Sequence, residues 1–439
     1  MRISVVGLGK LGAPLAAVMA YKGNTVVGID LNENYVQAIN AGRAPVEEPQ
    51  LQNLIDQARS RLRATMDWNL LVNESDLTFI IVPTPSGPNG FFTNSYILDA
   101  LDLLGHAIRQ KDGYHLVVIT STVMPGSTGG EIWEALEKAS GRKVGEHLGL
   151  CYNPEFIALG SVVRDMLNPD FILIGESDPK AGAILEEIYK KSCDNQPLIR
   201  RMNFPNAELT KISVNTFVTT KISYANMLAD ICDRLPGADI DVVTNAVGSD
   251  SRVGIKYLKG AMGYGGPCFP RDNIAFGALA RKIGARADLA EATDRINKYQ
   301  VERILGMIQG LLPSGKTVGI LGLSYKPQTG VAEESQSVFL TTALLDHGYE
   351  VAVHDPMALS AALKMIGKDR VKPFDAPEAC AKVADLLVVA TQWPQFRDLS
   401  PEVLKPEAII LDLWRTLPIE RFSSHRVIYL GRGISASNG

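Results

Sequence analysis

Gly7-Leu8-Gly9-Lys10-Leu11-Gly12 follows the apolar run Ile3–Val6 directly and opens a stretch of helical character; no other feature of the 439-residue chain constrains its fold so tightly. A strand that turns on glycine into a helix opens a parallel α/β unit. The first glycine permits the tight turn, and the second lets a pyrophosphate approach the backbone. The third lets helix and strand pack closely, and the helix N-terminus faces the phosphates. Gly7, Gly9, Leu11 and Gly12 are therefore candidate contacts to a dinucleotide, whereas Lys10 reads as a solvated side chain. Asp30 ends the next apolar run. There its carboxylate can accept hydrogen bonds from ribose hydroxyls and would repel a 2′-phosphate, which favours NAD over NADP.

The rest of the N-terminal part keeps this alternation. Thr25–Ile29, Leu77–Val82, Leu116–Thr120 and Leu148–Tyr152 read as buried strands, with Phe171–Gly175 as a further one. Ser95–Gln110 and Thr128–Ala139 have helical period between them, which implies a parallel, doubly wound sheet. From Asn206 to Leu235 the chain is free of Gly and Pro and reads as one helix, about 45 Å long at 1.5 Å per residue. A helix of that length is expected to link two domains and to carry a subunit interface. Pro270–Ile283 and Ala287–Leu311 add more helix. After Pro313-Ser314-Gly315 a second α/β unit begins, with strands at Thr317–Leu321 and Glu350–His354 and a helix at Ser337–His347. Ala384–Thr391 and Ala408–Leu411 continue the pattern, and the small, polar tail Ile434–Gly439 is expected to fray. The fold class is thus α/β: two Rossmann-like doubly wound domains joined by a long central helix and a helical middle segment.

Composition narrows the functional classes. A hydrophobic content of 46% with 21% charged residues describes a globular chain. The net charge of −4 leaves no basic footprint for nucleic acid. No apolar run approaches the roughly 20 residues of a membrane span. The stretch Ile3–Gly12 has neither the charged leader nor the cleavage site of a signal peptide. Five scattered cysteines without a CxxC pair, and six dispersed histidines, argue against a disulfide framework or a metal site and for reduced thiols in the cytoplasm.

Chemistry concentrates in Gly263-Tyr264-Gly265-Gly266-Pro267-Cys268-Phe269-Pro270-Arg271-Asp272. Glycines let backbone approach a ligand. Pro270 suits the first turn of the next helix, so Cys268 falls near a helix N-terminus, whose positive end favours a thiolate. The ordinary reading of a lone cysteine is a small buried hydrophobe. Cys151, Cys193, Cys232 and Cys380, in apolar or helical settings, keep that reading. Lys211 and Asn215 share one face of the long helix, where a cation and an amide can stabilise an oxyanion or form an ordinary polar surface. Glu155, in Asn153-Pro154-Glu155-Phe156, follows a strand on the edge where open α/β sheets bind ligands, and is a candidate general base or a plain loop residue. Val82-Pro83-Thr84-Pro85 and Ser121-Thr122-Val123-Met124-Pro125-Gly126-Ser127-Thr128 lie on that same edge.

With these motifs in this order, and with Gly322-Leu323-Ser324-Tyr325-Lys326-Pro327 after them, the chain resembles the UDP-glucose/GDP-mannose dehydrogenase family along nearly its whole length. The resemblance implies an NAD-binding domain over 1–202, a central helical dimerisation domain over 203–312 and a nucleotide-sugar-binding domain over 313–439. It implies Cys268 as nucleophile and Asp272 and Thr122 as holders of a catalytic water. Lys211 and Asn215 would stabilise developing negative charge, and Glu155 would promote hydrolysis of an acyl-enzyme. Pro83, Thr84 and Thr122 match cofactor contacts. Phe156, Tyr257, Leu258, Gly265, Tyr325, Lys326 and Arg415 match substrate contacts, and Arg252 matches an arginine that reaches a neighbouring subunit's substrate. Three positions depart from the family pattern. Leu159 stands where a second glutamate is common, Glu333 where an arginine contacts NAD, and Arg271 where lysine is usual.

The chemistry so implied is oxidation of a nucleotide sugar, UDP-glucose first, at C6 to the uronic acid, through a thiohemiacetal and a thioester on Cys268. The assembly implied is a homodimer or a higher homo-oligomer. Two other readings fit the N-terminal unit alone. One is a two-electron hydroxyacid or sugar-phosphate dehydrogenase, which needs no cysteine in a glycine loop. The other is an inactive nucleotide-sugar-binding homologue.

Overall fold

The computed structural model describes residues 1–433, so the tail expected to fray lies outside the described residues. The chain divides into two compact units, Met1–Ser213 and Val214 onward, and the division falls within the 31-residue helix Phe204–Arg234.

The first unit is built on eight strands: β1 (Arg2–Val6), β2 (Thr25–Ile29), β3 (Leu62–Thr65), β4 (Leu77–Ile80), β5 (His115–Ile119), β6 (Leu148–Tyr152), β7 (Phe171–Glu176) and β8 (Leu198–Met202). They are ordered β3-β2-β1-β4-β5-β6-β7-β8. The central strands β4, β5 and β6 are buried along their full length, as their largely apolar runs require when helices cover both faces, with the buried polar pair Thr78 and His115 hydrogen-bonded to each other. Alternate residues of β1 feed separate cores: Ile3 and Val5 pack on one side of the sheet, Val6 on the other. The helix Gly12–Tyr21 is buried from Gly12 through Ala20, so it is apolar all round rather than amphipathic.

Strands β1 to β6 are mutually parallel, but β7 runs antiparallel to β6 and β8 follows β7. The link between β6 and β7 contains a six-residue helix, Val162–Leu167. At about 9 Å it is shorter than a five-residue strand of about 16 Å, so it does not carry the chain back to the starting edge. The helix expected over Thr128–Ala139 is also broken. Thr128–Ile132 forms a π-helical turn with Gly130 at φ −109°, ψ −112°, and a regular helix runs from Trp133 to Ser140. The Gly129-Gly130 pair supplies the kink.

In the second unit, helices Ile240–Ser249, Phe269–Lys282 and Asp288–Leu311 precede a parallel sheet ordered β11-β10-β9-β12-β13-β14. Its strands are β9 (Thr317–Leu321), β10 (Glu350–His354), β11 (Lys372–Pro373), β12 (Leu386–Val389), β13 (Ile409–Asp412) and β14 (Arg426–Tyr429). A buried guanidinium ties helices to sheet: Arg303 pairs with Asp233, whose other oxygen accepts the Gly431 N–H at 2.6 Å. Among the described residues no helix is long and apolar enough to cross a membrane.

Candidate active site

In the first unit the glycine turn has the form its sequence requires. Gly7 has φ +95° and donates its N–H to the Ile29 carbonyl at 2.8 Å. A Cβ on Gly12 would lie 1.8 Å from the Gly7 oxygen, so helix and turn touch backbone to backbone. A Cβ on Gly9 would meet nothing within 4 Å, which leaves that side of the turn open. Leu11 caps the helix without a side-chain hydrogen bond, so the helix start offers its N–H groups to an anion. Asp30 accepts the Leu8 N–H at 2.6 Å and the Asn32 N–H at 2.7 Å and stays partly exposed, with lone pairs left for a ribose. Open turn, uncapped helix and available acid fit NAD.

Next to this turn, the loops after β4 and β5 are bound to each other. Ser121 Oγ bridges the Val82 N–H and carbonyl at 2.9 and 2.7 Å, and Thr84 Oγ1 donates to the Thr122 carbonyl at 2.7 Å. Pro83, Thr84 and Thr122 therefore sit on one braced surface.

The loop after β6 is held by Asn153, which donates to the Leu173 carbonyl at 2.9 Å and accepts from the Tyr189 hydroxyl. Lys211 reaches this loop from the long helix. Its Nζ donates to the Glu155 carbonyl at 2.5 Å and lies 4.6 Å from the centre of the Phe156 ring. Burial pushes the Glu155 carboxyl up to about 7, opposed by the charge of Lys211. Leu159 packs against the hydrophobic core beneath the loop, which accounts for an apolar residue there.

In the second unit Cys268 is the N-cap of helix Phe269–Lys282, with Pro270 in its first turn. It is exposed, whereas Cys151, Cys193, Cys232 and Cys380 are buried. One turn on, Asp272 is 1% exposed and accepts from Asn215 Nδ2 at 2.6 Å. Arg271 reaches its other oxygen at 3.4 Å. Helix geometry thus groups Asn215 and Asp272 behind the cysteine.

The preceding loop is fixed through its backbone. Asn297 accepts the Tyr264 N–H at 2.7 Å and donates to the Tyr264 carbonyl at 3.0 Å. Gly266, at φ +82°, donates to the Glu333 carbonyl at 3.2 Å and lies under the Tyr325 ring. A Cβ on Gly265 would sit 2.2 Å from the Glu334 oxygen. Glu333 holds the loop through its main chain, a contact any residue there would make, while its side chain is exposed and nothing in the structure explains the glutamate. Tyr257, at φ +63°, turns its ring edge-on to Phe269 at 6.2 Å, and Leu258 is buried beside it. Lys326 Nζ lies 5.9 Å from the Tyr325 ring centre.

Arg415 and Arg252 contrast. Arg415, at φ +55°, is buried and gives its N–H groups to Asp241 and to the carbonyls of Gly260, Leu413 and Leu430. It braces the segment that leads into the glycine loop. Arg252 stands on an exposed loop, paired with Asp250 at 2.6 Å. Asn153, Asn297 and Glu208 were not singled out from sequence. Each acts on backbone distant in the chain, and a lone polar residue in an apolar or helical run does not announce its partner.

Three models of the UDP-glucose/GDP-mannose dehydrogenase family match the chain in succession: the NAD binding domain over residues 1–193, the central domain over 205–299 and the UDP binding domain over 319–418. A UDP-glucose 6-dehydrogenase of Haloferax volcanii is 37% identical over 421 residues, covering 94% of this chain and 96% of that protein. A GDP-mannose 6-dehydrogenase of Pseudomonas aeruginosa is 34% identical, covering 81% of each. The solved UDP-glucose dehydrogenase of Pyrobaculum islandicum superposes with a TM-score of 0.88 at 34% identity, covering 97% of this chain and 96% of that one.

Proposed function

This chain belongs to the UDP-glucose/GDP-mannose dehydrogenase family, and from that premise we propose that it oxidises UDP-glucose at C6 to the uronic acid through a covalent adduct on Cys268. The observation that carries the reading is the placement of Cys268: an exposed thiol at a helix N-cap, after a backbone-pinned glycine loop, with the buried Asp272 one turn behind it.

NAD, when bound, accepts the hydride in each of the two oxidations. Asp272, with Thr122, holds the water that takes the C6 hydroxyl proton. Lys211 and Asn215 stabilise the alkoxide so formed. Cys268 adds through Sγ to the aldehyde carbon, giving a thiohemiacetal that can be oxidised again, now to a thioester. Glu155, with its carboxyl near neutrality, takes a proton from the water that cleaves the thioester and frees the thiol. Per sugar, two NAD are reduced and one water enters the product. This reading assigns substrate contacts to Phe156 in the first unit and to Tyr257, Leu258, Gly265, Tyr325 and Lys326 in the second, where Arg415 braces the chain by holding the Gly260 carbonyl.

We place the enzyme in the cytoplasm as a homodimer or larger assembly. Phe217, Tyr224, Met227, Ile231 and Leu235 are exposed large side chains at helical spacing on and just past the long helix, an apolar stripe suited to a second copy. Arg252 would then reach the neighbour's substrate. The test is a panel of nucleotide sugars scored for NADH and product mass. UDP-glucose is expected to give two NADH per sugar and the uronic acid. One NADH per sugar, or faster turnover of GDP-mannose, would replace this reading. Cys268→Ser should lose the second oxidation; two NADH per sugar from that variant would remove the cysteine from the mechanism.

A further inference from the structure

One buried carboxylate has no part in the chemistry above. Glu208, on the first turns of the long helix, is 0% exposed. Its Oε2 accepts the Gly126 N–H at 2.6 Å and its Oε1 accepts the Thr128 N–H at 2.7 Å. Both donors belong to the loop that follows β5, and Thr128 opens the π-helical turn.

We infer that Glu208 is a positioning residue for the dinucleotide site, clamping the Ser121–Thr128 loop to the long helix. The inference rests on the reading of Pro83, Thr84 and Thr122 as cofactor contacts. That loop is braced at its start by Ser121 on Val82 and by Thr84 on the Thr122 carbonyl. Glu208 fixes its other end. Three residues on, Lys211 grips the loop after β6 through the Glu155 carbonyl. One stretch of helix therefore sets both the cofactor surface and the base-bearing loop. An apolar side chain of similar volume would fill the same space without the cost of burying a charge. What the carboxylate adds is two short, charge-assisted bonds that hold two amides at fixed positions.

Glu208→Gln preserves the volume and removes the pairing, because the amide NH₂ would face one of the two N–H donors. In the full-length protein, the Kd for NAD is expected to rise about tenfold, as for loss of a buried hydrogen bond to a charged group, with the Kd for UDP-glucose changed less than about twofold. A merely structural role would weaken both ligands alike or neither, and either result overturns the inference. Asp30→Ala, titrated in parallel, separates the two layers. If Asp30→Ala loses NAD and Glu208→Gln does not, the clamp is wrong and the cofactor reading stands. If neither loses NAD, the cofactor reading itself falls and takes the clamp with it. Should the Gln variant not fold, hydrogen exchange on the unmodified protein decides. The Gly126 and Thr128 amides should exchange slowly and be slowed further by NAD but not by UDP-glucose. Fast exchange, or equal slowing by both, overturns the assignment.

Discussion

The two sheets repeat one plan and diverge at its most informative point. Both place the first strand between the second and the fourth: β2-β1-β4 in one, β10-β9-β12 in the other. Each first strand is followed by a glycine with positive φ, +95° at Gly7 and +98° at Gly322, and each of these donates to the last carbonyl of the neighbouring strand, Ile29 or His354. Each neighbouring strand is followed by an aspartate that accepts backbone N–H groups from the turn. Asp30 accepts two and remains partly exposed. Asp355 is 3% exposed and accepts from Leu323, Ser324 (backbone and hydroxyl), Met357, Ala358 and the Trp393 indole. After Gly7 a helix starts at Gly12; after Gly322 the next helix waits until Gln336. The lesson is that strand order alone does not make a dinucleotide site. The acid must keep lone pairs free, and a helix must present its N-terminus at the turn. The second sheet has neither, and gives the same edge to the loop that carries Tyr325 and Lys326.

If Asp355 is a structural post, its removal should hurt the fold most. Asp355→Ala strands several buried donors at once, and we expect a loss of about 4 kcal/mol in unfolding free energy by denaturant titration. A loss below about 1 kcal/mol would break the comparison. Asp30→Ala should do the reverse. Its unfolding midpoint should stay within a few degrees of the parent, while NAD affinity falls roughly thirtyfold, or about 2 kcal/mol, by direct titration. Equal damage to stability from the two substitutions would mean that the acids play the same part.

The difference between these turns was half legible in the sequence. The first could be read because every element that makes it is local: strand, three glycines, helix and an acid at fixed spacing. Asp355 simply follows the strand Glu350–His354 in the sequence, and nothing near it in the chain discloses Trp393 as a donor. The strands show the same division. Those read from apolar runs include every interior strand, whereas β3, β8, β11 and β14 were not assigned, and these four are the edges of the two sheets. An edge strand is covered on one side and tolerates charge, as in Leu198-Ile199-Arg200-Arg201-Met202, so it carries no apolar signature. The reversal of β7 was missed because periodicity records burial and not direction. Among the candidate residues, Lys211 and Glu155 of the first unit and Cys268 and Asp272 of the second were visible by residue type, whereas the braces Glu208, Asn153 and Asn297 act on distant backbone within their own units and were not.

Glu155 extends the comparison to a third acid at a strand end. Asp355 is surrounded by donors and Asp30 has two, but Glu155 is dominated by burial, with the charge of Lys211 opposing it. Burial without matching donors disfavours the ionised form, which raises the carboxyl to about 7. A base must be ionised to work, so the hydrolytic step should be fully active above that value and fail below it. With hydrolysis limiting, kcat is expected to fall up to about tenfold per pH unit below pH 7. Glu155→Gln should lower kcat at pH 8 by roughly 10²-fold and flatten that acid limb. Lys211→Met should move the limb to higher pH, because the opposing charge is gone. The comparison is sharpened if the limb moves in that direction. It is broken if the limb survives Glu155→Gln unchanged, since another group would then be supplying the proton acceptor.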